Sequence, residues 1–334
     1  MKTTTIVDVA KAAGVSLSVV SRVLMGRGYV QAEKKELVLK TMREMDYHPS
    51  PLAKGLRDSH TNTLGLLFFW LHTPFLPDYY QREIFAGVLD ACVARNYQLL
   101  INNFVRDLTD VEAARFDCKR MLKDQRVEGL LVVNPPEALI PVFSGSPGRV
   151  ALVNRREENL SYSDADHVSA MRGLVAYLAK KGHVRLGLLS GDPERDSSAR
   201  PRRQAFNQCL RAHGLAEDPS LIWDGNFLES SGEEGARHLL SLQDPPTAIV
   251  ASTDLMAIGA LRALRKLGLA KVAVVGIDDV PLAATPEISL TTMRQPFYEM
   301  GRSAAEGLIS SLASPGDGLV QNLLPMELIV RNSA

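Results

Sequence analysis

A chain of 334 residues is long for one domain and has room for two or three. Its 46% hydrophobic and 23% charged residues make a globular composition, and no apolar run approaches the roughly 20 residues that cross a bilayer, which sets aside disordered and membrane classes. Net charge is zero, yet residues 1–58 hold ten Lys/Arg against six Asp/Glu and the remainder 28 against 32. A basic head on a mildly acidic body places any phosphate contact in the head.

The N-terminal stretch MKTTTIVDVAKAAG lacks the apolar core of a secretion signal, so a cytoplasmic chain is expected. Cys92, Cys118 and Cys209 are odd in number and far apart, and they read as free thiols. No metal site and no cofactor are expected.

Thr5 and Asp8 have the spacing of a capping box, with Thr5 as N-cap. Ile6, Val9, Ala10 and Ala13 then line one face of a short helix that ends at Gly14. Ser16 can cap a second helix facing inward through Val19, Val20, Val23 and Leu24, and a third begins near Ala32 with Val38, Met42 and Met45 inside. Three short helices with a glycine turn between the first two predict a helix-turn-helix over residues 1–47. His48-Pro49-Ser50-Pro51 stops that fold. A further short helix through Leu56 would be too short to stand alone in water, as expected of a hinge over 48–60 that folds when docked.

From Thr63 the pattern changes. Continuous apolar runs at 63–71, 98–104, 129–133, 149–153, 185–189, 247–251, 271–276 and 288–293 read as strands buried on both faces. Helical stretches at 81–95, 110–124, 168–181, 200–213, 230–242 and 253–267 separate most of them, which predicts parallel sheets built from βαβ units. Some ten strands exceed one such sheet, so two α/β lobes are expected: 61–161 with about 293–321, and 162–292 with about 322–334. Loops at the carboxyl ends of both sheets would then frame a cleft.

The segments VDVAKAAGVSLSVVSRVL, YHPSPLAKGL and TNTLGLL closely resemble the DNA-binding head and linker of the LacI/GalR family of repressors. The resemblance continues in order through LVNR (152–155), KGHVRLG (181–187), TDLMAIGA (253–260), VGIDD (275–279), LTT (290–292) and PMELIVR (325–331). It implies an α/β fold with an all-α helix-turn-helix head and a two-lobed, periplasmic-binding-protein-like core of parallel sheets. The implied function is a transcription repressor that binds a palindromic operator as a homodimer, under control of a small polar effector. A sugar is the first reading of that effector, and a purine or another polar metabolite the alternative.

The resemblance places Leu17, Ser18 and Arg22 at base-reading positions. The chemistry suits them, since Arg22 can bond a guanine, Leu17 can touch a thymine methyl and Ser18 can bond several bases. Arg22 could instead contact phosphate or solvent. Ser16 and Ser21 remain as phosphate donors, whereas Val19 stands where the pattern usually has a hydroxyl. Lys54 and Leu56 fall in the hinge, where Leu56 would wedge into the minor groove, pack on its dimer mate, or both.

For the effector, the resemblance implies Asp278 as acceptor, Arg202 as donor and Phe227 as the stacking ring, with Thr253, Asn154 and Tyr80 as further contacts. A carboxylate, a guanidinium and an aromatic face are what a sugar requires. Each has a plainer reading: Asp278 as a turn residue, Phe227 as a core aromatic, Arg202 as a solvated helix start. Phe75, Tyr79 and Tyr80 compete for one aromatic role. No dinucleotide fingerprint, Walker loop or nucleophile elbow is present, so an enzyme is not expected. An exported sugar-binding protein would have no use for residues 1–60.

Overall fold

The computed structural model describes residues 4–25, 28–47, 61–69, 78–103, 111–123, 126–192, 197–269 and 271–334. Hinge residues Lys54 and Leu56, and Phe75, lie outside the described residues. Contacts divide the chain into two units, Met1–Asn62 and Thr63–Ala334.

In the first unit, α1 (Ile6–Ala12) starts at Thr5. The Thr5 hydroxyl accepts from the Asp8 amide, and the Asp8 carboxylate accepts from the Thr5 amide at 2.9 Å, completing the capping box. Gly14 turns the chain at φ +61, and α2 (Leu17–Met25) and α3 (Ala32–Glu44) follow. Val9, Val20 and Val38, one from each helix, are wholly buried. Ile6, Val15, Val23, Leu24, Met42 and Met45 pack around them.

The second unit holds two doubly wound lobes. In the first lobe lie β1 (Thr63–Phe68), α4 (Tyr79–Ala94), β2 (Gln98–Asn103), α5 (Val111–Lys123), β3 (Gly129–Val133), α6 (Ile140–Ser144), β4 (Val150–Val153) and β5 (Ser161–Ala165). The second contains α7 (His167–Lys180), β6 (Leu186–Ser190), α8 (Ala199–Ala212), β7 (Ile222–Asp224), α9 (Glu229–Leu240), β8 (Ala248–Ala251), α10 (Asp254–Leu267), β9 (Ala273–Asp278) and β10 (Thr291–Arg294). The chain then returns through α11 (Phe297–Ala313) and β11 (Gln321–Leu324) to the first lobe, and ends in the second with β12 (Glu327–Ile329).

The sheets run β11-β5-β4-β3-β1-β2, all parallel, and β12-β10-β9-β8-β6-β7, parallel except for β12. On β1, Leu64, Leu66 and Phe68 join the core under α4 and α11, while Leu67 joins the opposite core with Cys118 of α5 and Phe143 of α6. Burial on both faces is why these strands read as unbroken apolar runs. Glycines let the helix pairs touch through their backbones. A Cβ at Gly87 would lie 2.0 Å from Tyr298 O, and one at Gly259 2.0 Å from Glu229 O.

Lobe membership differs from the expected boundaries by a few residues at each crossover. β5 reaches Ala165 within the first sheet, β10 keeps residues to Arg294 in the second, and β11 keeps residues to Leu324 in the first. β5 (SYSDA), β7 (IWD), β11 (QNLL) and β12 (ELI) were not among the expected strands, nor α6 and α11 among the expected helices. These strands are short or polar, so no apolar run marks them. Among the described residues, no helix is long and apolar enough to cross a membrane.

Candidate functional site

In the head, α2 turns Val20 fully inward and packs Val19, Val23 and Leu24 against the same core. Its opposite face presents Leu17, Ser18 and Arg22, with Ser21 half-buried beside them. Leu17 is 48% exposed, an apolar side chain with no core to fill. Arg22 stays exposed and folds back so that Nε donates to Ser18 O at 3.3 Å. Ser16 and Ser18 hydroxyls lie 2.8 Å apart at the start of the helix. Val19, where a hydroxyl was the expected pattern, is committed to packing. Tyr29, 85% exposed just beyond α2, went unnoticed in the sequence; only its polar, glycine-flanked setting could have marked it.

In the body, a cavity of about 440 Å³ opens between the lobes. Asp278, Arg202, Phe227, Thr253, Asn154 and Tyr80 all line it, brought together from six separate places in the chain. The parallel strands explain the convergence. Asn154 follows β4 and Asp278 ends β9, so both sit at carboxyl ends facing the cleft. Asn154, Phe227 and Asp278 hold φ values of +60, +67 and +132, conformations that side chains larger than glycine adopt at a cost and that cluster at functional sites.

Arg202 is buried, not a solvated helix start. Its Nη1 donates to Ser252 O at 2.7 Å, and its Nη2 lies 3.2 Å from His167 Nδ1. Phe227 belongs to the second lobe's core and to the cavity wall at once. Thr253 is the N-cap of α10: its hydroxyl accepts from the Met256 amide and donates to Phe227 O, so little of it remains for a ligand. Tyr79 and Tyr80 both line the cavity, edge-on to Phe297 at 6.2 and 5.1 Å.

Three neighbouring carboxylates have separate duties. Asp279 is held by Arg294 at 2.8 Å and Arg331 at 2.6 Å. Asp254 is fully buried, accepting from the Thr292 hydroxyl at 2.5 Å and the Val280 amide at 2.9 Å, and burial pushes its carboxyl up to about 7. Asp278 faces the cavity and accepts from Gln295 Nε2 at 2.7 Å. Burial and the adjacent Asp254 charge raise its carboxyl well above the ordinary range, with Arg202 opposing. Gln295 is a cavity residue that the sequence reading missed. It stands in the RQP segment between β10 and α11, and no polar pattern singled it out.

Arg202 Nε, Asn154 Oδ1 and Gln295 Oε1 are buried without a hydrogen-bond partner among the described residues. No cluster of metal-ligating side chains occurs among them, and all three cysteines are buried free thiols.

Residues 5–50 match the model of bacterial regulatory proteins of the lacI family, and residues 175–334 that of a periplasmic binding protein-like domain. The HTH-type transcriptional repressor CytR of Escherichia coli (strain K12) is 30% identical over 98% of this chain and 96% of its own length. The chain belongs to the LacI family of bacterial regulatory proteins. This LacI-family member is thus a DNA-binding transcriptional repressor with an effector-binding domain, and its relatives are repressors, not enzymes. The HTH-type transcriptional repressor PurR of Pectobacterium carotovorum subsp. carotovorum (strain PC1) is 31% identical over 93% and 91% of the two chains. Among solved structures, the lac repressor dimer bound to operator and the anti-inducer ONPF shares 26% identity with a TM-score of 0.83, covering 99% of both chains. The transcriptional regulator CelR–cellobiose complex shares 28% identity with a TM-score of 0.75, covering 99% of this chain and all of that one.

Proposed function

We propose that this repressor binds a palindromic operator as a homodimer and that a small polyhydroxylated effector, a sugar in the first instance, sets its operator affinity. The three unpartnered buried atoms carry the effector reading. An unsatisfied buried polar group costs about 1–3 kcal/mol. Hydroxyl groups relieve all three, because each can accept from Arg202 Nε and donate to Asn154 Oδ1 or Gln295 Oε1. Asp278 accepts a further hydroxyl, and Phe227 offers its ring to the apolar face of the ligand. A similar chain has been solved with cellobiose.

A purine or a related polar metabolite is the second reading, favoured by the aromatic side chains Tyr79, Tyr80 and Phe297 that also line the cavity. A thermal-shift panel of mono- and disaccharides, purines and nucleosides separates the two. A true ligand at 100 times its Kd adds about 2.7 kcal/mol of stability. If only planar heterocycles stabilise the chain, the sugar reading fails.

On DNA, Leu17, Ser18 and Arg22 read bases while Ser16 and Ser21 contact phosphate. Lys54 and Leu56 complete the assignment from the hinge. Two heads on successive half-sites supply the contacts that nanomolar specificity needs. The lac repressor was solved as a dimer on operator. Sedimentation showing monomers alone, with and without operator, would overturn the dimer.

A further inference from the structure

His167 opens α7 just past the first crossover between lobes and is 2% exposed. It does not line the cavity. Its Nδ1 lies 3.2 Å from Arg202 Nη2 in the second lobe, and its Nε2 lies 3.3 Å from Asp164 Oδ1 on β5 of the first. A guanidinium only donates, so Nδ1 must present its lone pair. With Nδ1 bare the ring cannot be an imidazolium, so its one proton sits on Nε2, which lies at ion-pair distance from Asp164 Oδ1. The ring is therefore neutral and of one tautomer, linking a cation of one lobe to an anion of the other.

Both ends of this link are anchored. Arg202 Nη1 donates to Ser252 O, at the carboxyl end of β8. Asp164 Oδ2 accepts from Arg156 Nε at 2.8 Å, and its Oδ1 from the Ala165 amide at 2.9 Å. With both terminal nitrogens of Arg202 engaged, Nε is the buried donor still without a partner among the described residues.

We infer that His167 is a positioning residue that fixes the Arg202 guanidinium for the effector and ties it to Asp164 across the first crossover, so that effector capture in one lobe is felt at β5 of the other. The inference rests on the assignment of Arg202 to the effector; the link itself does not. His167→Gln keeps one acceptor and one donor, whereas His167→Leu removes both.

The test uses the full-length protein with nitrogen-labelled histidine and arginine, read by NMR. A bare Nδ1 and a protonated Nε2 are expected for His167. Exchange of the Arg202 Nη protons should quicken about tenfold in His167→Leu, since a hydrogen bond made by a charged group is lost. It should stay near the wild-type rate in His167→Gln. Cellobiose and adenosine are the probes for binding, and whichever the wild type binds should bind about tenfold more weakly to the leucine variant alone. Operator affinity without either probe should be unchanged in both variants. A protonated Nδ1, or leucine and glutamine variants that behave alike, overturns the inference. If the wild type binds neither probe, the sugar and purine readings lose ground, while the tautomer and exchange rates still decide the link. Were the leucine variant not to fold, the wild-type tautomer alone would decide.

Discussion

Gly191 and the ring of Phe227 compete for one space: a Cβ on residue 191 would lie 1.8 Å from Phe227 Cζ. Gly191 follows β6, and the ring lies against its bare Cα while lining the effector cavity. Gly191→Ala should displace the ring, at a cost of about 1–3 kcal/mol for overpacking, and weaken effector binding about tenfold or more. Effector titration beside thermal unfolding checks both effects. An alanine variant with wild-type effector affinity would remove Phe227 from the binding site.

Arg22→Ala should cost about 1–3 kcal/mol of operator binding and relax preference at one base pair in each half-site. Competition on single-base operator variants is the measurement. Full retention of sequence preference would make Arg22 a phosphate contact. Leu17→Ala, which touches no core, should leave the head's stability within about 0.5 kcal/mol of wild type while altering base preference.

Asp278→Ala should abolish the response to effector and leave effector-free operator affinity nearly intact, because the residue lines the cavity and its side-chain hydrogen bond is to another cavity residue, Gln295. Operator titrations with and without effector are compared. A variant that still responds at the wild-type effector concentration would contradict the cavity assignment.

Asp254 makes the stability of the body depend on pH. Its folded carboxyl sits near 7, chiefly through burial and against the Thr292 and Val280 hydrogen bonds, compared with an ordinary 3.8. Between those values the folded chain holds a proton that the unfolded chain releases, so the contribution of this group to stability is greatest below about 4 and is lost as pH rises through about 7. Asp278, also raised, acts with the same sign. The melting temperature should therefore fall from about pH 5 to about pH 8, and Asp254→Asn should flatten that fall. Equal slopes in variant and wild type would show that Asp254 does not drive it.

Cys92 and Cys118 should resist alkylation in the native protein. Burial pushes their thiols up to about 11 and about 12, so almost no thiolate exists at neutral pH. Mass spectrometry after a pulse of iodoacetamide, with and without denaturant, is the check. Rapid native labelling of either would show that its helix opens.

The sequence by itself determined the elements whose signal is local. The capping box at Thr5 and Asp8 depends on residues three apart. The paired runs of β1, β3, β4 and β9 depend on each strand being buried on both faces, which leaves no polar alternation to confuse them. The face of α2 that carries Leu17, Ser18 and Arg22 follows from helical period once Val20 and Val23 are placed inside. Tertiary structure alone decided what depends on distant partners. β5, β7, β11 and β12 are strands because neighbouring strands offer them hydrogen bonds, not because of their composition. Arg202, in a run of arginines that looks solvated, is buried because Ser252 O, 50 residues away, and His167 receive it. Gln295 enters the cavity because the last crossover but one passes beside Asp278, a juxtaposition set by two parallel sheets closing on each other.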